Sequence, residues 1–392
     1  MTEICEPEVA GAKSTPSSTL CRGQVPHEVP NPVARLRKQI AHQPLALVAL
    51  FVTTDADFAK ITREAQEQFP DTDVIACTTA GEIGQSGFEE GMIIAIGFPS
   101  AHYASKSILI EDLQGESSQA VVDRIALDRL AIQSENPDKQ RGFAFLVVDG
   151  LSLREDILTA AISPALRDLP IFGGSAGDGA HFGRTLVSLN GRVCENAAVL
   201  SLIQTDHRVR VFSFDHLVPT DRQMVVTSAD PARRIVKSIN GEPAVKEYAR
   251  IVGKDPDQVN QFTFASHPVV VRIGGGHHVR AIQQVNESGE LVFFSAIDEG
   301  MVLTVAQPKN MVEHLESEMV KLSENGAPSD IFACDCILRR MEAEQTQISH
   351  QVSDILARHR VFGFSTYGEQ IGALHVNHTM TGVAIYADPD GD

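Results

Sequence analysis

The chain lacks most of what would place it in a membrane, on nucleic acid or outside the cell. No apolar stretch reaches the roughly 18 residues that a bilayer-spanning helix needs, so insertion through such a helix is not expected. Positive charge is scarce: 33 Lys and Arg stand against 51 Asp and Glu, a net charge of −18 over 392 residues. Phosphate-backbone binding needs clustered cations, so nucleic acid is not an expected partner. The six cysteines (5, 21, 77, 194, 334 and 336) follow neither a disulfide-framework nor a zinc-ligand spacing. Cys334-x-Cys336 falls in an expected strand and reads as a pair of small buried apolar side chains. The Cys-x-x-Cys-His motif of covalent haem attachment is absent. The first 32 residues hold no apolar core resembling a secretion signal. Five prolines in the first 32 residues make 1–33 an expected disordered tail, and the cytoplasm is the expected compartment.

What is present is a repeat. A hydroxyl residue, any residue, glycine and a carboxylate recur as Thr79-Ala-Gly-Glu82, Ser175-Ala-Gly-Asp178 and Thr366-Tyr-Gly-Glu369. Each copy follows a short apolar run, preceded by a helical pattern and a longer apolar run: Leu45 to Val52, Phe143 to Val148 and Ile331 to Cys336. Phe58, Ile61, Ala65 and Phe69 share a helix face, as do Ile348, Val352, Ile355 and Leu356. The second helix carries a Ser152-x-x-Glu155 capping-box pattern and a proline, Pro164, expected to kink it. A closing strand is expected at Met92 to Phe98, Arg184 to Leu189 and Thr379 to Tyr386. The unit is strand, helix, strand, signature, strand, roughly 50 residues long.

Strand-helix-strand units imply parallel strands joined by right-handed crossovers, with the closing strand antiparallel. The expected fold is therefore α/β, two domains with mixed β-sheets and packed helices built from this repeated module. Strand runs at 196–203 and 208–214 are expected to complete the first domain, giving domains at 34–230 and 231–388. The second opens with a helix from Pro243 to Ile251 and a β-rich stretch.

The signature suits a tight turn: glycine permits positive φ, while hydroxyl and carboxylate bond nearby amides. These turns also leave the carboxyl ends of parallel strands, where ligands collect. Thr79, Glu82, Ser175, Asp178, Thr366, Glu369 and Asn377 are therefore candidate pocket residues. Gly173 to Gly179 is glycine-dense but lacks a following Lys-Ser/Thr, and a carboxylate there would repel phosphate. Gly173-Gly-Ser-Ala-Gly177 fits a nucleophile-elbow pattern, yet no long helix follows it. Of 14 histidines, His181 and His375 lie just beyond signatures, and a neutral imidazole is the common haem-iron ligand. In a strand, His375, Asn377 and Thr379 share one face and His378 takes the other.

Several segments together carry a family resemblance: Cys77-Thr-Thr-Ala-Gly-Glu82, Phe172-Gly-Gly-Ser-Ala-Gly-Asp178, Ile239-Asn-Gly-Glu-Pro-Ala244 with Tyr248, and Phe364-Ser-Thr-Tyr-Gly-Glu369 with Asn377-x-Thr379. From about residue 34 to 387 the chain resembles FIST-domain proteins, through both the FIST N and FIST C halves. The resemblance implies a sensory module of signal transduction without catalytic activity of its own. Gly-Asp-Gly-x-His-Phe and His-Val-Asn-x-Thr-x-Thr-Gly-Val-Ala are similar to the haem-binding, nitric-oxide-sensing members of that family. That likeness implies haem b as cofactor, with His181 and His375 as the two candidate iron ligands. It also implies nitric oxide as the sensed gas and output through a partner histidine kinase or cyclic-di-GMP enzyme. The alternative within the family is a haem-free sensor of a small polar metabolite such as an amino acid. In that reading Glu82, Asp178 and Glu369 engage the amino group. Self-association into a homo-oligomer is left open.

Overall fold

The computed structural model of the chain describes residues 18–115, 119–273 and 275–387. The first module runs β1 (Cys21–Pro26), α1 (Pro32–Ile40), β2 (Leu45–Val52), α2 (Phe58–Gln68), β3 (Asp73–Thr78), the hairpin β4 (Glu82–Gly84) and β5 (Gly87–Glu89), and β6 (Met92–Pro99). The second repeats that order as β7 (Tyr103–Ile110), α3 (Gln119–Glu135), β8 (Arg141–Val148), α4 (Glu155–Leu166), β9 (Ile171–Ser175), the hairpin β10 (Val187–Leu189) and β11 (Arg192–Cys194), and β12 (Ala198–Thr205). The third opens with β13 (Arg208–Phe214) and is then interrupted by an insert. The insert comprises β14 (Leu217–Asp230), β15 (Ile235–Ile239), β16 (Glu242–Pro243), α5 (Ala244–Val252), α6 (Gln261–Ser266), β17 (Val269–Ile273), β18 (Gly276–Val279), β19 (Ile282–Val285), β20 (Leu291–Phe293) and β21 (Val302–Pro308). The module resumes with α7 (Met311–Ser323), β22 (Asp330–Cys336), α8 (Ile337–Gln345), α9 (Ser349–Arg358), β23 (Val361–Thr366), the hairpin β24 (Glu369–Ile371) and β25 (Leu374–Val376), and β26 (Met380–Tyr386).

Each module builds a sheet of one design, and each sheet ends in a hairpin from another module. The orders are β1-β6-β2-β3-β10-β11, β7-β12-β8-β9-β24-β25 and β13-β26-β22-β23-β4-β5. Strands β2 and β3, β8 and β9, and β22 and β23 are parallel, while β6, β12 and β26 return antiparallel. The first module lends its hairpin to the third, the third to the second, and the second to the first.

Both faces of these sheets are buried, which is why the leading strands read as continuous apolar runs. Leu47, Ala49 and Phe51 of β2 face a central core, with Phe145 of β8 and Phe332 of β22. Val48, Leu50 and Val52 face α1 and α2. In the centre the Phe51 and Phe364 rings stack at 4.4 Å, and Phe145 lies 4.6 Å from Phe332. Cys334 lies in this core as the small apolar side chain the sequence suggested.

Several expectations change. The second module's closing strand is β12, and the run ending at Leu189 is part of the lent hairpin. The 208–214 run pairs with β26 and belongs to the third sheet. The capping box does not form: α4 starts at Glu155 without a side-chain cap, because Glu155 is drawn to Arg234. Helix α4 runs through Pro164 to Leu166, close enough to its end for the lost hydrogen bond to matter little. Of the expected tail, residues 1–17 lie outside the described residues, as does residue 388. From Ser18 the chain is tied down, because buried Asp330 accepts from the Ser18 and Thr19 hydroxyls and the Thr19 and Leu20 amides.

Candidate functional site beneath the insert

The three signatures meet at one end of the molecule, at the carboxyl ends of the parallel strand pairs. Their backbones bond one another: Ala80 N–H to Ser365 O at 2.9 Å, Gly177 N–H to Thr78 O at 3.1 Å and Ser175 N–H to Gly368 O at 2.8 Å. Glycine is required by this approach. Gly81 has φ 123°, and a Cβ there would sit 2.0 Å from an Arg340 nitrogen, while one at Gly177 would sit 2.7 Å from the Ala80 Cβ.

The first and third corners are alike. The Thr79 hydroxyl donates to Glu82, whose second oxygen accepts from Met92 N–H at 3.1 Å. The Thr366 hydroxyl donates to Glu369, which also accepts from the Thr379 hydroxyl at 2.6 Å. Each carboxylate thus ties its corner to the start of the closing strand. Burial pushes both carboxyls up, Glu82 to about 7 and Glu369 to about 8, against the opposing pull of the threonine hydroxyls. The second corner differs. Ser175 is fully buried and accepts from the Gln370 amide at 3.0 Å, with no histidine bonded to it as base. Asp178 accepts from the amides of Phe182, Gly183 and Arg184, each at 2.8 Å, and from the Tyr367 hydroxyl.

The two histidines proposed from sequence sit in different surroundings. His181 is exposed, in a cleft of about 600 Å³ that also presents Asp55, Asp57, Asp178 and Arg184. His375 is 2% exposed, and its Nδ1 accepts from the Gln370 amide at 3.3 Å while Nε2 has no partner. Asn377 lies between the third module and the insert, accepting from the Ser295 hydroxyl and donating to Tyr367 O at 3.1 Å. Each histidine has a local feature that weighs against haem. In the His181 cleft the propionates would meet three carboxylates, and Arg184 is already paired with Glu195 at 2.6 Å. Around His375 the ring edge abuts Gly368, where even an added Cβ would lie 2.3 Å from Cε1.

Sequence reasoning missed the junction itself. The insert seats on the corner end through Phe294, whose ring lies 6.0 Å from Tyr367 and 5.6 Å from Phe182. Leu217, Val270, Val279 and Ala281 pack with Ala80 and Tyr367. Buried polar groups fill the same layer. Arg234, in the left-handed region at φ 54°, donates to Glu155 at 2.7 Å, to Asp156 at 3.0 Å and to Phe294 O. The second Asp156 contact comes from Ala296 N–H at 3.1 Å. Arg280 is buried next in the chain to Ala281, whose carbonyl accepts from Phe294 N–H. Only Glu155 carried a local signal, as the acid of a capping box that does not form.

A third cluster, also buried, joins His216, Glu342 and His378. Both Nε2 atoms lie within 3.0 Å of the Glu342 carboxylate. The alternation expected of a continuous strand breaks here, because β25 ends at Val376 and His378 has φ 58°. Arg339, held by Asp335 at 2.6 Å, donates to His216 Nδ1 at 2.9 Å. That fixes the proton of neutral His216 on Nε2, where a metal would need the lone pair. The donor set therefore suits a hydrogen-bonded relay, with Glu342 as its acceptor, better than a metal ion.

Comparison with known proteins fits this architecture. The chain is 22% identical over 387 residues to an uncharacterized protein of Methanocaldococcus jannaschii, covering 86% of this chain and 73% of the relative. The FIST N domain model matches residues 46–242 and the FIST C domain model residues 244–372, so their boundary falls inside the insert. FIST domains suggest a sensory role in signalling. No helix among the described residues is long and apolar enough to cross a membrane. On these matches, which span most of its length, the chain belongs to the FIST family.

Proposed function

We propose that this chain is a sensory module whose ligand is a small polar metabolite bound where the insert covers the three corners. The supporting observation is unspent hydrogen-bonding capacity in that layer: His375 Nε2, Gln370 Oε1 and Arg280 Nε are buried without a partner. Buried polar atoms are nearly always satisfied, so orphans on both sides of the junction, in the insert and beside the corners, point to a missing partner. The carboxylates first considered as ligand groups, Glu82, Asp178 and Glu369, spend their hydrogen bonds inside the corners. A ligand that bridges the corners and the insert changes how the insert is seated. That change is the signal offered to a partner, a histidine kinase or a cyclic-di-GMP enzyme.

Thermal unfolding against a metabolite collection tests this. A ligand at 100 times its Kd raises stability by about 2.7 kcal/mol, and a collection without one stabilising compound would sink the proposal. Haem b with nitric oxide is the competing reading, resting on the resemblance and on the unpartnered His375 Nε2. An absorption spectrum after haemin addition separates the two. A Soret band that moves with nitric oxide and is lost in His375→Ala or His181→Ala favours haem; a colourless protein removes it.

A further inference from the structure

Which chemical class the junction reads follows from which of its groups are unspent. The acids are each ion-paired through one oxygen. Glu155 and Asp156 are engaged by Arg234, and Asp156 also by the Ala296 amide. The unspent cation is Arg280. It is 6% exposed, and among the described residues no ion pair or cation–π contact engages its guanidinium. Its contacts reduce to a 3.3 Å bond to the adjacent Val279 carbonyl, leaving Nε without an acceptor. Burial lowers its pKa, and Asp156 offsets this only through space. A buried guanidinium without a bonded anion is costly, and occupancy by an oxyanion offsets that cost.

His375 offers a second donor. With the Gln370 amide donating to Nδ1, the hydrogen-bond network assigns the ring proton to Nε2, the unpartnered atom. Burial lowers the pKa of His375, and it feels Glu155, Asp156, Arg234 and Arg280 together, which places it in the same electrostatic layer. The free donors include a cation, whereas the unpartnered acceptor beside them, Gln370 Oε1, is a neutral amide oxygen, so the layer favours negative charge.

We infer that the junction takes a small oxyanion, a carboxylate or a phosphate, with Arg280 as its primary anchor and His375 Nε2 as a second donor. This rests on the sensory reading above and narrows it: both acids of the layer are already ion-paired with Arg234, so an oxyanion rather than an amino group is the class expected.

Calorimetric titration of the full chain with acetate, succinate, 2-oxoglutarate and inorganic phosphate tests the inference, with ethanolamine and glutamine amide as cationic comparators. At least one anion is expected to bind. Its affinity should fall about 30-fold or more in Arg280→Gln and about tenfold in His375→Gln. Binding of carboxylates alone, or of phosphate alone, identifies which oxyanion the site reads. Because Arg280 is uncompensated, Arg280→Met without ligand should melt at or above the parent temperature; a clear drop would mean a structural role and overturn the inference. Anion binding unchanged in Arg280→Gln overturns it as well. Binding of only the cationic comparators, indifferent to Arg280, overturns the oxyanion class and leaves the sensory reading standing. No binding by any compound overturns the oxyanion class, and the metabolite collection then decides the sensory reading.

Discussion

Glu369 and Glu342 belong to the same module and are both buried, yet their acidities lie far apart. Burial drives Glu369 up to about 8, and the Thr366 and Thr379 hydroxyls only partly oppose it. Burial also pushes Glu342 up, but hydrogen bonds from His216 and His378 overcome it and leave the group at about 2. The difference lies in the donors. Hydroxyl groups serve a neutral carboxyl nearly as well as a carboxylate, whereas two imidazole N–H groups, one of them backed by Arg339, favour the anion. Glu369 is therefore a corner brace that tolerates being neutral, and Glu342 is the charge around which a network is organised.

The largest effect expected from breaking this contrast is at Glu342. Glu342→Ala orphans two imidazoles and loosens Arg339, and should lower the free energy of unfolding by about 3 kcal/mol in chemical denaturation. Asp178 is a third case, a carboxylate held by backbone amides. Tyr367→Phe removes one of its donors and should cost about 1 kcal/mol, with faster proteolysis of residues 179–184. Glu369→Gln should fall within about 1 kcal/mol of the parent near pH 7, because amide and protonated carboxyl are both neutral donors.

The pH profile sharpens the same contrast. Glu369 has a folded pKa above its unfolded value, so above about pH 4.5 the unfolded chain releases a proton that the folded chain keeps. Its contribution to stability is lost progressively as pH rises from there to about 8. His216 is the opposite case. Burial lowers it to about 4, so the unfolded chain binds the extra proton between about 4 and 6.5, and stability rises with pH across that window. Denaturation midpoints of Glu369→Gln between pH 5 and 8 should show a shallower decline than the parent. An unchanged decline would assign it elsewhere.

The sequence made the modules legible because their strands and helices are local patterns. Leu45 to Val52 announces a doubly buried strand, and Phe58, Ile61 and Ala65 announce a helix face. The signature was correctly readable as a turn because glycine, hydroxyl and carboxylate act within a few residues. Pairings that join distant modules left no local trace. Nothing in Glu369 to Ile371 says that it lies beside β9, and nothing in Asp330 says that it receives Thr19. Arg234 and Arg280 were invisible for the same reason. Each is one arginine among many until the insert folds over the corners. Tyr367, the variable position of the third signature, gained its role only through contact with Asp178, 189 residues away.

The lent hairpins also bear on how the chain can be cut. A break at the boundary of the two family domains, between residues 242 and 244, would leave β4 and β5 without the β23 edge they complete. It would deprive β9 of β24 and strand β13 without β26. Each fragment would expose open sheet edges that invite aggregation. The two halves named by homology are thus not units of folding. Expressed separately they should be insoluble, and expressed together they should associate into one particle, a ring of three loans in which no lender can leave alone.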